Sequence, residues 1–347
     1  MSLNRLPVAV IGAGMGAAPH LRSLDDLADE IDVRWVAARD PARLASVALP
    51  AGDRATVRLD DVLDDPQVKA VVVLTPPSAH LEVARLVAQA GKHVLVEKPL
   101  EIDLPHAVEL VECCEAAGVS LGVMLQHRLR DGALHLARIL ADGRLGTLTG
   151  VQASVRWWRP QDYYEAPGRG TLARDGGGVL MTQAIHTLDL LLTLCGEPEQ
   201  VTGAVTTSAA HRMECEDTAT ALLHYAGGML GVLHATTAAP PGYPEVIAID
   251  GTLGSATLES GELRVRYADG RTEHAGASVG TGGGADPMGF DHAPHRAVLR
   301  DFFLAVRDGR APAVTGRSAL AVHRLIAAIV ESSRRGAPVA PGTLTSS

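Results

Sequence analysis

The stretch PVAVIGAGMGAAPH, residues 7–20, decides the fold class of this 347-residue chain. It begins as a short apolar strand, passes through closely spaced glycines and continues as a predicted helix. Glycines at the end of a buried strand permit a tight turn and let the backbone approach a diphosphate at the N-terminus of the next helix. Gly12 and Gly14 occupy the first two positions of this fingerprint, and Ala17 occupies the third. The stretch therefore predicts a strand–turn–helix unit that binds a dinucleotide, with a glycine-rich turn that binds no ligand as the alternative.

The rest of the first third of the chain repeats this alternation of strand and helix. Apolar, β-branched runs at residues 33–38, 70–76, 93–96 and 120–125 alternate with segments of helical periodicity. Runs that are apolar throughout are typical of parallel strands that are buried on both faces. We therefore expect an α/β fold that begins with a doubly wound parallel (Rossmann) sheet over residues 1–127.

After about Gln126 the pattern changes to an alternation of apolar and polar residues, which is typical of antiparallel strands with one solvent-facing side. A long apolar helix is predicted over 179–194, and two closing helices are predicted over 295–307 and 318–334. We expect residues 128–347 to form a C-terminal α+β domain with a mostly antiparallel open sheet. Its predicted strands are at residues 147–158, 201–207, 218–225, 231–235, 246–250, 256–259 and 263–267.

Composition and charge limit the classes of function. The formal net charge is −9 and the sequence has no clustered stripe of Lys and Arg, so we expect no nucleic-acid partner. No run approaches about 18 apolar residues, and the N-terminus lacks the features of a signal peptide, so we expect a cytoplasmic protein without a membrane partner. The four cysteines lack the spacing of a zinc site and are expected to be reduced thiols.

The end of the second strand bears on the choice between NAD and NADP. In dinucleotide-binding folds an acid at this position accepts hydrogen bonds from the ribose hydroxyls, whereas an arginine suits a 2′-phosphate. Ala38 occupies the expected acidic position, and Arg39 and Asp40 follow it. The pattern favours NADP over NAD. A small register shift that brings Asp40 to the ribose would favour NAD, and a solvated surface charge is the alternative for Arg39.

Two further strand ends should carry polar side chains into the same crevice, because doubly wound sheets bind their ligand at the carboxyl ends of the strands. The third strand ends in TPPSAH (75–80) and the fourth in EKP (97–99). Lys98 is a candidate for the proton transfer that carbonyl–alcohol interconversion requires, with a phosphate contact or a surface charge as alternatives. The candidate cofactor-binding residues are Gly12, Gly14, Met15, Gly16, Ala38, Arg39, Asp40, Thr75, Pro76, His80, Glu97 and Lys98.

Four blocks in order, the glycine loop, TPPSAH, GKHVLVEKPL and DGGGVLMTQAIHTLDLL, resemble the Gfo/Idh/MocA family of NAD(P)-dependent oxidoreductases. The resemblance extends over nearly the whole chain. It implies that Lys98 lies beside the nicotinamide and the substrate, and that the bond between Lys98 and Pro99 is often cis. It also implies that His186 contacts the substrate hydroxyl and assists proton transfer, and that the C-terminal sheet forms a homodimer or homotetramer.

One position departs from the pattern of the family. Thr182 stands where the family usually has Asp or Asn, and a threonine cannot act as a general base at neutral pH. The resemblance therefore places more of the proton transfer on Lys98. A half-buried structural histidine is the alternative for His186. His186 and Asp189 lack a third ligand at a suitable spacing, so we expect no metal site.

The segment before the glycine triplet concentrates aromatic and arginine side chains in a chain that is only 3% aromatic. Aromatic faces and guanidinium donors suit a polyhydroxylated ring or a charged sugar derivative. Packing in the core or at a subunit contact is the alternative for Trp157 and Trp158. The candidate substrate-binding residues are Tyr163, Tyr164, Arg169, Thr182, Gln183 and His186.

Together these patterns predict an NAD(P)-dependent oxidoreductase that transfers a hydride between nicotinamide and a ring hydroxyl or ketone of a sugar, a nucleotide-linked sugar or a cyclitol. Two alternatives stay open. One is an NAD-dependent glycosidase that uses transient oxidation, and the other is a non-enzymatic regulator that binds the cofactor. Net reduction of the cofactor during turnover distinguishes the dehydrogenase from both.

Overall fold

A computed structural model of the chain describes residues 5–14, 16–47, 54–280, 282–284 and 290–344. The chain divides into two compact units. The first contains residues 1–126 and 292–320, and the second contains residues 127–291 and 321–347. The sequence had suggested two continuous segments that meet at residues 127 and 128.

Packing of one late helix explains why the first unit is discontinuous. The helix Ala293–Asp308 carries Phe302, whose side chain is fully buried. A Cβ built on Gly122 would lie 2.6 Å from the Phe302 ring and 3.0 Å from Leu95, so this glycine provides the space that the ring fills. The helix is therefore part of the core of the first unit although it follows the second unit in the sequence.

Six parallel strands form the sheet of the first unit, in the order β3-β2-β1-β4-β5-β6. The order reverses between β1 and β4, which is the switch point where doubly wound sheets bind ligands. The predicted Rossmann fold is confirmed. The strands are β1 (Leu6–Ile11), β2 (Ile31–Ala37), β3 (Arg54–Thr56), β4 (Ala70–Val73), β5 (His93–Val96) and β6 (Leu121–Val123).

Helices cover both faces of this sheet, so the central strands have no exposed side. All four residues of β4 are buried, as are the last four of β1. The helices of the first unit are α1 (Ala17–Asp26), α2 (Pro41–Ser46), α3 (Asp60–Leu63), α4 (His80–Gln89), α5 (Leu104–Ala116) and α10 (Ala293–Asp308), with a 3₁₀ turn at Pro77–Ala79.

Eight strands form the sheet of the second unit, in the order β14-β13-β12-β11-β7-β10-β9-β8. Only β7 and β10 pair in parallel, and the other neighbours are antiparallel, so the predicted mostly antiparallel sheet is confirmed. The strands are β7 (Leu148–Arg156), β8 (Gln200–Thr206), β9 (Thr218–His224), β10 (Leu230–Thr236), β11 (Val246–Gly251), β12 (Gly254–Glu259), β13 (Glu262–Tyr267) and β14 (Thr272–Ala275).

Helices pack against one face of the second sheet, whereas the other face includes the exposed apolar side chains of Leu222, Leu230 and Val232. The helices that begin in this unit are α6 (Asp131–Ala141), α7 (Gln161–Tyr164), α8 (Leu172–Asp175) and α9 (Ile185–Cys195), preceded by a π-helical turn at Leu180–Ala184. Helix α11 (Gly316–Arg335) begins in the residues of the first unit and ends in those of the second. Further 3₁₀ turns are at Gln126–Leu129, Ala226–Gly228 and Pro341–Thr343.

One helical stretch, Leu172–Cys195, is long and apolar enough to cross a membrane by length and composition alone. In the fold, 78% of its most apolar window is buried. The central helix of a folded domain meets the same criteria, because it is surrounded by apolar neighbours. The burial of this stretch is that of a core helix.

Candidate active site

The glycine loop joins β1 to α1 at the carboxyl edge of the first sheet. Gly12 has φ +115°, and a Cβ there would lie 2.6 Å from the carbonyl carbon and oxygen of Leu74, so only glycine fits. The nearest atom to a Cβ on Gly14 is Nη1 of Arg43, at 3.8 Å, and none lies within 4 Å of one on Gly16. No side chain caps the N-terminus of α1.

These features fit the diphosphate of a dinucleotide. The backbone at Gly14 and Gly16 has open space beside it, and the uncapped N–H groups at the start of α1 favour an anion. The predicted contact of Met15 lies outside the described residues.

The end of β2 presents Ala38, Arg39 and Asp40, the three residues predicted to bear on the choice of cofactor. Ala38 is half-buried, and the other two are exposed. The Asp40 carboxylate caps α2 by accepting a hydrogen bond from the backbone N–H of Ala42 at 2.9 Å, and it lies 3.8 Å from Nε of Arg43. Asp40 therefore stabilises the N-terminus of α2, whereas Arg39 projects into solvent.

The loops after β4 and β5 are tied together by His80. Its side chain is fully buried, with Nε2 2.8 Å from the Thr75 carbonyl and Nδ1 2.9 Å from the Pro99 carbonyl. The Lys98–Pro99 peptide bond is cis. Burial lowers the pKa of His80, and its hydrogen bonds to the Thr75 and Pro99 carbonyls oppose that effect. Since both ring nitrogens contact carbonyls, His80 positions Thr75 and the turn at Pro99, and a direct contact of its buried ring with the cofactor stays a prediction.

Glu97 forms the centre of a polar cluster beneath Lys98. Its Oε2 accepts a hydrogen bond from the Lys98 backbone N–H at 2.8 Å, and its Oε1 lies 2.6 Å from Nε2 of the fully buried His20. The His20 ring packs edge-on against His295, with centroids 5.1 Å apart. Burial raises the pKa of Glu97, but the hydrogen bond from His20 and the charges of His20, Lys98 and His295 outweigh it and lower this pKa to about 2. Glu97 is thus an anion placed directly beside the candidate catalytic lysine.

The same cluster contains a set of donors that could hold a metal ion. One ligand atom each from His20, Glu97 and His295 lie within 4.8 Å of one another. The 2.6 Å contact between His20 and Glu97 has the length of a charge-assisted hydrogen bond, which explains their proximity without an ion. The expected absence of a metal site stays a prediction.

In the second unit, Glu216 holds the start of the helix that carries His186. The Glu216 carboxylate accepts hydrogen bonds from the backbone N–H groups of Gly178 at 3.0 Å and Leu180 at 3.1 Å. A Cβ on Gly178 would lie 1.7 Å from the Glu216 carbonyl oxygen, which explains why this position of the glycine triplet must lack a side chain. Burial raises the pKa of the Glu216 carboxyl, and the two N–H donors oppose that effect.

The predicted α-helix over 179–194 begins instead with the π-helical turn Leu180–Ala184, a feature often found at functional sites. Thr182 donates its hydroxyl hydrogen to the Gly178 carbonyl at 2.7 Å, one turn earlier, and its oxygen is also close to the Gln183 amide oxygen. Gln183 and His186 are buried, with 4% and 7% of their surface exposed. The His186 ring stacks on His127, with centroids 5.0 Å apart.

Asp189 lies three residues after His186 on α9, on the same side of the helix. It is buried in an ion pair, in which Arg128 donates Nε–H at 2.7 Å and Nη2–H at 2.5 Å to the two carboxylate oxygens. Burial raises the pKa of Asp189 and outweighs the opposing effect of Arg128. Asp189 is thus a structural partner that fixes the 3₁₀ turn Gln126–Leu129 on α9.

The two predicted tyrosines have different surroundings. Tyr164 is buried, and its hydroxyl lies 2.8 Å from the hydroxyl oxygen of Thr237. Burial raises its pKa, and its ring packs against His211. Tyr163 is only half-buried, and the Arg169 guanidinium stacks 4.1 Å from its ring centroid. Tyr163 and Arg169 are therefore the more accessible pair, and Tyr164 is tied into the core.

The structure thus groups the candidates within each unit. The first unit brings the glycine loop, the end of β2, Thr75, Pro76, Glu97 and Lys98 to one edge of the parallel sheet. The second unit places Thr182, Gln183 and His186 on one helical stretch, and Tyr163 and Arg169 on the segment before it. Their roles remain predictions. The side chains around these sites that sequence reasoning did not select are His20, Arg43, His127, Arg128, Arg159, Glu216 and His295.

Comparison with known proteins identifies relatives of both units. Residues 6–125 match the family described as "Oxidoreductase family, NAD-binding Rossmann fold", and residues 133–257 match the "GFO/IDH/MocA C-terminal domain". D-apiose dehydrogenase from Paraburkholderia graminis is 26% identical over 344 residues, which cover 97% of this chain and 90% of the relative. The scyllo-inositol 2-dehydrogenase (NADP(+)) IolW from Bacillus subtilis is 24% identical over 350 residues, covering 96% and 95% of the two chains.

A solved structure also matches over almost the full length. The WlbA dehydrogenase from Chromobacterium violaceum, in complex with NADH and UDP-GlcNAcA, is 30% identical with a TM-score of 0.83. The match covers 98% of this chain and 97% of that one.

Proposed function

Because the chain belongs to the Gfo/Idh/MocA family of oxidoreductases, we propose that it oxidises or reduces one ring carbon of a sugar, a nucleotide-linked sugar or a cyclitol with NAD(P). The names of the D-apiose and scyllo-inositol dehydrogenases support this class of substrate. Bound nicotinamide supplies the acceptor or donor of the hydride. The chain itself must bind the ring, orient the reacting hydroxyl and move its proton.

The observation that carries the proposal is the position of Lys98. It is the second residue after β5, at the carboxyl edge of the parallel sheet where the glycine loop also lies. Its backbone N–H is fixed by the Glu97 carboxylate. A lysine at this edge can take the hydroxyl proton when an alcohol is oxidised and return it when a ketone is reduced. We assign the proton transfer to Lys98 and the orientation of the hydroxyl to His186.

A screen of nicotinamide reduction tests this function. The protein is mixed with aldoses, uronates, inositols or nucleotide-linked sugars, each with NAD or NADP, and absorbance at the wavelength of reduced nicotinamide is followed. We expect net reduction with at least one ring polyol. Glycoside cleavage without net reduction would contradict the proposal, and so would cofactor binding without hydride transfer to or from any of these compounds.

For the cofactor we propose a preference for NADP, which predicts a selective effect of replacing Arg39 by alanine. Arg39 is exposed at the end of β2, Asp40 is engaged as a helix cap, and a 2′-phosphate would gain a charge-assisted bond from the guanidinium. Loss of that bond should weaken NADP binding about tenfold and change NAD binding less than about twofold. Both dissociation constants can be measured by fluorescence titration. Arg58→Ala, another exposed arginine of the first unit, is the control, and unchanged NADP affinity in Arg39→Ala would refute the preference.

We also propose that the open face of the second sheet forms a homo-oligomer. Val232 lies opposite Leu222 in the ladder of β9 and β10, and these side chains are 49% and 39% exposed. Apolar patches of this kind mark subunit contacts. Val232→Asp should shift the protein toward the monomer in light scattering after size exclusion. Val57→Asp, at a site 52% exposed in the first unit, should leave the assembly unchanged. A wild-type protein that is monomeric at micromolar concentration would contradict the proposal.

A further inference from the structure

A buried arginine lies next to the candidate substrate segment, just beyond the end of β7. Only 3% of the surface of Arg159 is exposed. Its Nη1 donates to the carbonyls of Trp158 at 2.9 Å and Gly284 at 2.6 Å. Its Nε is also buried, and no hydrogen-bond acceptor is present for it among the described residues. A buried guanidinium with an unused donor is costly, because the desolvated charge and the N–H group both lose their interaction with water.

Arg159 and a second arginine, Arg169, both lie close to the ring of Tyr163. The guanidinium carbon of Arg159 is 5.4 Å from the Tyr163 ring centroid, and that of Arg169 is 4.1 Å from it. We call these three residues the arginine–tyrosine cluster. Burial lowers the pKa of Arg159, and the nearby charge of Arg169 acts in the same direction. Two like charges are therefore held close together at the edge of the core.

Two acids of the second unit that lie on or near these segments make other contacts. Asp175 accepts a hydrogen bond from the Gly170 N–H at 2.7 Å and faces Arg174, and Asp217 is paired with the buried His211 at 2.7 Å. Within the described ranges, neither arginine of the cluster has an ion-pair partner. The aromatic faces and the two carbonyls offset part of the charge of Arg159. Among the described residues, no ion pair balances the charge of the two guanidinium groups beside Tyr163, and a ligand anion would compensate it.

We propose that the arginine–tyrosine cluster is an anion subsite, and that the substrate of this protein carries a carboxylate or phosphate group that binds there. The inference rests on the proposed function, since it names the class of ring compound that the second unit recognises. Arg169, which is half-exposed, provides the direct contact, and Arg159 adds charge from behind the ring. A neutral ring compound would leave both guanidinium groups without an ion-pair partner among the residues that the structure describes.

Matched pairs of ligands test the subsite. Binding is measured by calorimetry on the full chain with bound cofactor, using D-glucuronate against D-glucose, D-glucose 6-phosphate against D-glucose, and UDP-glucuronate against UDP-glucose. The first and third pairs isolate the carboxylate, and the second isolates the phosphate. We expect at least one anionic member to bind about tenfold or more tightly than its neutral or carboxylate-free partner.

Three variants test which arginine is responsible for the preference for the anionic ligand. Arg169→Met should remove most of the preference for the anion without changing the affinity of the neutral partner, whereas Arg212→Met, an exposed arginine on a neighbouring segment, should change neither. Arg159→Lys keeps the charge in the core, so it should fold and retain part of the preference. The proposal is overturned if no anionic probe binds more tightly than its partner, or if Arg169→Met weakens both members equally.

Failure of the proposed dehydrogenase function would give a different result from failure of the anion subsite. If the anionic preference is present and depends on Arg169 but no hydride transfer occurs with any probe, the anion subsite stands and the dehydrogenase function fails. If neutral polyols are oxidised and Arg169→Met has no effect, the function stands and the subsite fails.

Discussion

Replacement of Lys98 by methionine is expected to lower hydride transfer by about 10³-fold or more while the affinity for the nicotinamide cofactor changes less than about twofold. Methionine has nearly the length and volume of the lysine stem, so the turn that follows β5 should keep its packing. Only the ammonium is lost, and a positioned acid or base contributes about 10² to 10⁴-fold to such reactions. Because Thr182 cannot act as a general base, the effect should lie at the upper part of this range.

The measurement combines initial rates, with the best compound of the nicotinamide screen, and a fluorescence titration of the cofactor. Lys69→Met is a matched control, since Lys69 is exposed just before β4, at the amino ends of the strands and therefore at the opposite edge of the sheet. We expect the control to retain the rate of the wild type. A Lys98→Met protein that keeps a tenth of the wild-type rate would exclude the proton-transfer role.

Strong local patterns explain why most of the fold could be predicted. The runs that became β1 and β4 are apolar throughout, and that of β5 is apolar after His93, because both faces of a parallel sheet are covered. The strands β3 and β14 were missed, since RAT and TEHA are short and polar and lie at sheet edges, where pairing with a neighbour decides the conformation. The discontinuity of the first unit was also missed, because the local sequence of α10 does not indicate which of the two sheets this helix packs against.

For the candidate site, too, some residues could be predicted from the sequence and others could not. Motifs that follow a strand, such as the glycine loop and Glu97–Lys98, were found because strand ends meet at one edge of a parallel sheet. Partners that are distant in sequence were not. His20 and His295 are 275 positions apart, yet their rings pack edge to face. Likewise, no pattern near Asp189 predicts that its partner is Arg128, 61 positions earlier in the chain. Helical periodicity shows which residues share a face, but it does not identify the partner on the other side.

The pair of Arg128 and Asp189 leads to the second large expected effect, on stability rather than on catalysis. Asp189→Ala should lower the free energy of unfolding of the second unit by about 3–5 kcal/mol, because it leaves a guanidinium with only 12% of its side chain exposed without its bidentate partner. The loss is measured from the midpoint of urea denaturation. Glu197→Ala, which breaks the more exposed pair with Arg324 in the same unit, should cost less than about 1 kcal/mol.

Replacing both members of the buried pair separates the charge from the packing. The double variant Arg128→Met with Asp189→Leu removes both desolvated charges and fills their volume with apolar atoms, so it should recover at least half of the stability that Asp189→Ala loses. The stacking of His127 on His186 depends on the position of the turn that Arg128 fixes, so recovery of stability without recovery of turnover would show that the ion pair also positions His186. An Asp189→Ala protein no less stable than Glu197→Ala would mean that the buried pair contributes nothing beyond a surface one, and the structural role assigned to Asp189 would have to be abandoned.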